Sequence, residues 1–386
     1  MKKKFFITTT VPASLNFFKD NLAFLNEEFE VCAISSQKNE LDSIGLREGV
    51  RTYHIPMKRP ISLWRDIFCF IKFIYLFVKE QPDIVHGNTP KASLLSMVAA
   101  KITGVKVRIY MCHGLRYQGT QGKLRWLLMK MEKITCFCAS EVICVSHGVK
   151  DTLVKDGLCS SGKAVVIHYG SASGINLNHF KIENKEIKRG EIRDTLGIKN
   201  DDFVFLFIGR LVKDKGIDEL VASFTELNKT HRSTHLILVG TDDGKMNPVS
   251  LSTKDQIETN NNIHAVGRIA DVRPYLLASD TFVLPSYREG FGIVLMEAGA
   301  MGVPCITTDI IGCNEIIIQG ENGEIIPPRD EKALYEKMKE WVESPQKIAY
   351  MAKNDRPLIE ERYDQKLVWN ALLEEYKRLT NELYEK

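Results

Sequence analysis

Ser286-Tyr-Arg-Glu-Gly-Phe-Gly-Ile-Val-Leu-Met-Glu297 stands between a short apolar run, Thr281-Phe-Val-Leu284, and a helical pattern over residues 293–300. That order predicts a strand, a tight loop and a helix start. Such a junction turns backbone N–H groups and a helix N terminus into one crevice, where phosphate oxygens are well held. Glu289 falls on the loop; Glu297 falls about one turn into the helix, facing the same crevice. A phosphate cradle flanked by two acceptor-only side chains suits a ligand that is anionic in the middle and rich in hydroxyls at both ends. A nucleotide sugar has that form, with ribose at one end and hexose at the other.

Outward from this stretch, short β-rich runs alternate with helical patterns along the whole chain. Residues 5–9, 31–35, 84–86, 107–112 and 141–145 read as strands, with helices at 15–25, 64–79, 94–102 and 123–139. A second strand series runs through 203–208, 235–240, 263–266, 281–284, 305–308 and 323–326, with helices at 217–227, 272–278, 293–301 and 332–342. Alternation of this kind gives parallel sheets covered on both faces. Two series predict an α/β protein of two Rossmann-like domains facing across a cleft, with the site at the carboxyl ends of the strands. The polar stretch 176–202 reads as the connection. The expected domains are therefore 1–175 and 176–364, followed by a helix over 365–386 with no strand after it. No G-x-G-x-x-G follows the first strand; the loop there is Thr8-Thr-Thr-Val-Pro-Ala-Ser14, which counts against a nicotinamide or flavin enzyme.

The 386 residues suffice for two domains of ordinary size, and 44% apolar with 26% charged residues is a globular composition. The net charge of +3 is unevenly spread. Residues 1–180 hold 24 Lys and Arg against 14 Asp and Glu, and the remainder 28 against 35. A basic first half suits a membrane surface or a phosphorylated acceptor; nucleic acid would call for a binding module that is not recognisable here. Nine cysteines, several in apolar runs such as Val142-Ile-Cys-Val145, read as reduced core thiols of a cytosolic protein. Cys136 and Cys138 are too close for a zinc pair, and no metal is expected. Residues 61–78 are strongly apolar, but Arg65, Asp66 and Lys72 interrupt them, so no uncharged span approaches the ~18–20 residues that cross a bilayer. The N terminus has too short an apolar run for a signal peptide. A cytoplasmic protein, peripheral on the inner face of the membrane, is expected.

The fuller string, P-S-x-x-E-G-F-G-x-x-x-x-E-A-x-A-x-G-x-P over residues 285–304, resembles the E-x7-E signature of the retaining glycosyltransferases of family 4, which have the GT-B fold. The resemblance implies that Glu297 binds the ribose hydroxyls and that Glu289 acts on the donor sugar near its reacting carbon. It gives Phe291, Gly292, Ile293 and Val294 backbone contacts to sugar and phosphate, and it implies that the helix over 365–386 returns to the first domain. Gly209-Arg-Leu-Val-Lys-Asp-Lys-Gly216 is similar to the family's diphosphate clamp. Gly209 lets the backbone approach closely, while Arg210 and Lys215 are cations at a strand's carboxyl end. Fixed cations in a dry cleft stabilise the charge that grows on a leaving diphosphate. With that clamp no divalent ion and no cofactor is required. Val266-Gly-Arg-Ile-Ala-Asp271 occupies the place where relatives hold the base, mostly through backbone, and Asp242-Asp243 reads as a surface turn.

On the acceptor side, a strand ends at His113-Gly-Leu-Arg-Tyr117. The resemblance places His113 against the donor sugar or its phosphate as a second catalytic candidate. Arg116 and Tyr117 are expected with the acceptor, as are His86, at the end of another strand, and Lys91. Lys123, Arg125, Lys130 and Lys133 interleave with Trp126 and other apolar residues in a basic amphipathic helix that suits a membrane surface. The whole is similar to family members that build capsule, O-antigen or other bacterial surface glycans. The expected reaction moves a hexose or N-acetylhexosamine from a UDP-sugar to a polyprenyl-diphosphate-linked saccharide. The alternatives are an epimerase or hydrolase of the same fold and a non-catalytic nucleotide-sugar-binding subunit.

Overall fold

A computed structural model of the chain describes residues 2–242 and 247–384. The chain divides into two units: residues up to Gly174 together with the last helix from Gln365, and Ile175–Asp364.

The first unit alternates β1 (Lys4–Thr8), α1 (Asn21–Glu28), β2 (Glu30–Ser35), α2 (Lys38–Glu48), β3 (Arg51–His54), α3 (Leu63–Glu80), β4 (Ile84–Gly87), α4 (Pro90–Ile102), β5 (Val107–Cys112), α5 (Gly122–Cys138), β6 (Glu141–Cys144), α6 (His147–Lys155) and β7 (Ala164–Val165). Its seven parallel strands lie in the order β3-β2-β1-β4-β5-β6-β7. The order reverses between β1 and β4, the place where open α/β sheets hold ligands. Central strands covered on both faces are apolar without alternation: Phe5, Phe6 and Ile7 of β1 are all buried. The glycine-free loop after β1 is closed by hydroxyls. Thr9 Oγ1 donates to Ser35 Oγ at 3.0 Å, and Thr10 Oγ1 lies 2.7 Å from Thr89 Oγ1.

Two expectations change here. The single helix over 15–25 is a 3-10 turn, Pro12–Phe18, followed by α1, because Asp20 takes a left-handed φ of 63° between them. The edge strands β3 and β7 were not foreseen; β3 is largely exposed and carries no apolar run.

The second unit runs α7 (Lys185–Leu196), β8 (Phe203–Ile208), α8 (Ile217–Thr230), β9 (Thr234–Val239), α9 (Leu251–Thr259), β10 (Ile263–Gly267), α10 (Arg273–Ala278), β11 (Thr281–Leu284), α11 (Ile293–Ala300), β12 (Cys305–Thr308), β13 (Gly323–Ile326), α12 (Glu331–Glu343) and α13 (Pro345–Tyr363). Six parallel strands lie in the order β10-β9-β8-β11-β12-β13, reversing between β8 and β11. Phe205 and Phe207 of β8 are fully buried, and truncating either to Ala would cost about 3–5 kcal/mol.

The stretch 176–202 is not a plain connection. It contains α7, packed on α10, and its Arg193 is wholly buried. That guanidinium donates to Asp280 at 2.9 Å and to the carbonyls of Ala278, Lys199, Asn200 and Asp202. A guanidinium whose donors are satisfied can be buried, so polar composition here conceals an anchor. The chain enters and leaves this unit side by side, with the Ile175 amide donating to the Tyr363 carbonyl at 2.8 Å.

The last helix, α14 (Gln365–Tyr384), belongs to the first unit. Its Trp369 ring lies 5.5 Å from that of Phe24, and Lys377 pairs with Glu28 at 3.1 Å. All nine cysteines are free, and eight are buried. Among the described residues no helix is long and apolar enough to cross a membrane.

Candidate active site

In the second unit, two loops meet at the switch point between β8 and β11, and glycines permit the meeting. A Cβ on Gly240, whose φ is 149°, would stand 1.7 Å from the Gly209 carbonyl oxygen, so the ends of β8 and β9 close up only with glycine there. A Cβ on Gly216, with φ of 71°, would stand 2.1 Å from the Pro285 carbonyl oxygen, so the loop after β8 lies against the loop after β11. The Tyr287 amide ties the loops by donating to the Asp214 carbonyl at 2.9 Å, and Arg288 pairs with Asp214 at 3.1 Å. This packing brings Lys215 and Glu289 together: the ammonium is ion-paired with the carboxylate, the two side chains only 20% and 16% exposed. Arg210 lies exposed near the start of the same loop.

The N terminus of α11 opens beside this pair. Gly312, with φ of 77°, packs so closely that a Cβ would stand 2.5 Å from the Gly290 carbonyl oxygen. Its own carbonyl accepts from the Gly292 amide at 3.0 Å, and the Ile293 amide donates to the Phe291 carbonyl at 2.9 Å. Gly292 and Ile293 therefore do not offer free N–H groups, a correction to the expected set of four. Among the described residues no acceptor is found for the amides of Phe291 and Val294, which remain as the donors this turn can offer an anion. Glu297 lies in the second turn of α11, half-buried, and burial pushes its carboxyl up to about 7. Its backbone carbonyl accepts from the Met301 amide at 3.2 Å, while no hydrogen-bond or ion-pair partner of its carboxyl group is found among the described residues.

At the neighbouring strand ends, the Gly240 amide donates to the Gly267 carbonyl at 2.8 Å, and the Asp271 carboxylate is held by Arg273 at 2.7 Å. Asp242 pairs with Lys254 at 2.8 Å, while Asp243 lies outside the described residues.

In the first unit, His113 follows β5 and lies half-buried against Phe17 and Phe18. Its Nε2 is 3.3 Å from Asn88 Oδ1. The Asn88 amide nitrogen donates to His86 Nδ1 at 2.9 Å, and His86 Nε2 is 3.1 Å from Tyr376 Oη on α14. Burial pushes the His113 imidazole down to about 4 and that of His86 to about 3, so both rings are neutral at pH 7.

Three expected acceptor residues are corrected. His86 is wholly buried with both ring nitrogens engaged, by Asn88 and Tyr376, and leaves no free ring nitrogen for an acceptor. The Lys91 ammonium is spent on Asp66 at 2.7 Å and the Pro60 carbonyl at 2.6 Å. Tyr117 is buried, its hydroxyl donating to Asp156 at 2.7 Å. Arg116 is exposed. Asn88 and Tyr376 were not foreseen. Asn88 follows a strand-end His by two residues, a weak signal, and Tyr376 lies 290 residues from His86 with none. On α5, Lys123, Lys130, Lys133 and Trp126 are exposed, and Arg125 lies against the Tyr117 ring at 5.2 Å.

Residues 22–171 match the family model described as Glycosyltransferase Family 4, and residues 188–357 match that of Glycosyl transferases group 1. The chain is 32% identical over 381 residues to the capsular polysaccharide biosynthesis glycosyltransferase CapM of Staphylococcus aureus, covering 98% of each chain. It is 30% identical over 312 residues to the UDP-Gal:alpha-D-GlcNAc-diphosphoundecaprenol alpha-1,3-galactosyltransferase of Escherichia coli, covering 79% of this chain and 78% of that one. Anabaena Alr3699/HepE, solved in complex with UDP and glucose, shares the fold with a TM-score of 0.81, at 19% identity over 97% of this chain and 100% of that one.

Proposed function

This chain belongs to the family 4 glycosyltransferases, and on that premise we propose that it moves a hexose or N-acetylhexosamine from a UDP-sugar, with retention, to a polyprenyl-diphosphate-linked saccharide of a bacterial surface glycan. The observation that carries the reading is the Lys215–Glu289 pair at the switch point of the second sheet. A cation and a carboxylate side by side match the two ends of the bond to be broken. Lys215, with Arg210 on the same loop, meets the diphosphate. Glu289 meets the sugar carbon, where positive charge develops as the C1–O bond lengthens. The Phe291 and Val294 amides take phosphate oxygens, and Glu297 accepts from the ribose. The acceptor hydroxyl forms the new bond to C1 on the face the diphosphate leaves, and its proton passes to the diphosphate. His113, neutral and half-buried at the end of β5, is kept as the second catalytic candidate that the family resemblance implies, a polar group that adds no charge.

A uridine donor is favoured by the names of the galactosyltransferase relative and of the UDP-bound structural neighbour. The lipid-diphosphate acceptor is supported by the same relative and by the basic first half. On this reading the enzyme works at the cytoplasmic face of the membrane, and the Lys215 and Arg210 cations fill the charge role of a divalent ion.

A thermal-shift panel of nucleotides and nucleotide sugars tests the donor site. UDP and one UDP-sugar should raise the melting temperature, while GDP, ADP and CDP leave it unchanged. A shift with GDP alone would overturn the uridine assignment.

A further inference from the structure

Helix α3 carries two apolar stripes. Cys69, Phe73, Leu76 and Phe77 are buried, and the helix packs on α4. On another side Trp64, Phe68, Ile71, Tyr75 and Val78 recur at three- and four-residue steps and stand in solvent, Trp64 at 81% exposure, Tyr75 at 68% and Ile71 at 59%. A helix apolar on both sides is ordinarily covered on both.

The charges around the open stripe have one sign. Lys58 and Arg59, just before the helix, are exposed, as are Arg65 and Lys79 on it, and Lys72 lies 5.0 Å over the Phe68 ring. Both acids of α3 are drawn to basic residues elsewhere in the unit. Asp66 pairs with Lys91 at 2.7 Å, and Glu80 lies 3.7 Å from each of Lys4 and Arg51.

We propose that α3 is a lipid-docking element, lying in the plane of an anionic bilayer with Trp64, Phe68, Ile71 and Tyr75 at the boundary between headgroups and acyl chains. The proposal rests on the lipid-linked acceptor read above and names the surface that brings the enzyme to it. An open apolar stripe rimmed by cations matches that boundary in both of its properties. Trp and Tyr suit it particularly, since each has an apolar body and a polar tip. A second copy of the chain fits less well. A twofold contact would set the stripe on itself and bring the cations of both copies together. Helix α5, which also packs on α4, adds the exposed Lys123, Lys130 and Lys133.

The test uses the full chain and sedimentation with vesicles of equal phosphatidylglycerol and phosphatidylcholine. Trp64→Ser, Ile71→Ser and Tyr75→Ser are combined; all three side chains are exposed, and the melting temperature should stay within about two degrees of the parent's. The bound fraction should fall about tenfold or more, and transfer to a short water-soluble acceptor should stay within about twofold of the parent. Sedimentation of the variant like the parent overturns the proposal. So does a parent that is dimeric in sedimentation equilibrium and made monomeric by the substitutions, which would make the stripe a self-association face. Vesicle binding lost in the variant, with no transfer by the parent to either a soluble or a vesicle-embedded acceptor, would leave α3 standing and remove the acceptor reading instead.

Discussion

Asn88 Oδ1 lies 3.3 Å from His113 Nε2, while the nitrogen of the same amide donates to His86. An amide oxygen only accepts, so the proton of neutral His113 resides on Nε2 and Nδ1 keeps its lone pair. Asn88 is thus a positioning residue for His113. Asn88→Ala should lower kcat about tenfold and leave the donor KM within about twofold. Asn88→Asp sets an acceptor-only carboxylate between two imidazoles, stabilises their cations and should raise the His113 pKa from about 4. Nitrogen-15 spectra of labelled histidine report both tautomer and pKa. An unchanged tautomer and kcat in Asn88→Ala would end this assignment.

Because Lys215 and Glu289 are paired, their substitutions should not add. Glu289→Gln is expected to lower kcat by about 10³ or more with nucleotide affinity within a few-fold, and Lys215→Ala and Arg210→Ala by about 10²–10³ each. The Glu289→Gln/Lys215→Ala double variant should be only slightly worse than the poorer single one. Strict multiplication of the two losses in single-turnover assays would mean that they act on separate steps.

The parts that sequence makes legible are those with local physical signatures. The run over 203–208 coincides with β8 because a strand covered on both faces must be apolar throughout. β3, an edge strand with largely exposed side chains, lacks that signature. Lys215 and Glu289 each stand in a readable motif, but their pairing across 74 residues depends on Gly216 admitting the Pro285 backbone. His86 looked like a pocket residue because strand ends usually open to a crevice; Tyr376, arriving on the last helix, closes that space. In α3, composition showed apolarity without showing which stripe the fold would cover. Residues 176–202 differ in the opposite sense, since the five hydrogen bonds of Arg193 make a polar segment part of the interior.

Burial raises Glu297 to about 7, above an ordinary carboxylate, and two consequences have opposite signs. Below pH 7 the carboxyl is protonated and loses acceptor capacity toward the ribose, so donor affinity should fall between pH 8 and pH 6, by at most about tenfold per unit. In the unliganded protein the raised pKa favours folding at low pH. That contribution is full below the unfolded value of about 4.3 and is lost as pH rises through about 7. Glu297→Gln should therefore flatten the pH dependence of UDP binding in calorimetry and raise the melting temperature of the free protein at pH 8. A parent whose UDP affinity is level from pH 6 to pH 8 would remove Glu297 from the ribose contact.

Activity should be unchanged in EDTA, because Lys215 and Arg210 occupy the charge role a divalent ion would otherwise fill at the leaving diphosphate. Turnover lost in EDTA and restored by magnesium or manganese would overturn this.

The cations of α5 and the apolar stripe of α3 are separable through salt. Lys123, Lys130 and Lys133 stand in solvent, each worth about 1 kcal/mol near an anionic surface, while Arg125 lies against the Tyr117 ring. Changing all four to Gln should weaken vesicle binding by about 3 kcal/mol at low ionic strength, or ~150-fold. At 0.5 M salt the Debye length shrinks to about 4 Å and the deficit should largely vanish. The α3 substitutions remove apolar contact, which salt does not screen, so their deficit should persist at both ionic strengths. Turnover on a soluble acceptor should survive the α5 changes, and turnover on a vesicle-embedded acceptor should fall with the bound fraction. If the quadruple variant sediments with vesicles as the parent does at low salt, α5 serves only to cover the first sheet. The basic excess of residues 1–180 would then be assigned to the acceptor's diphosphate.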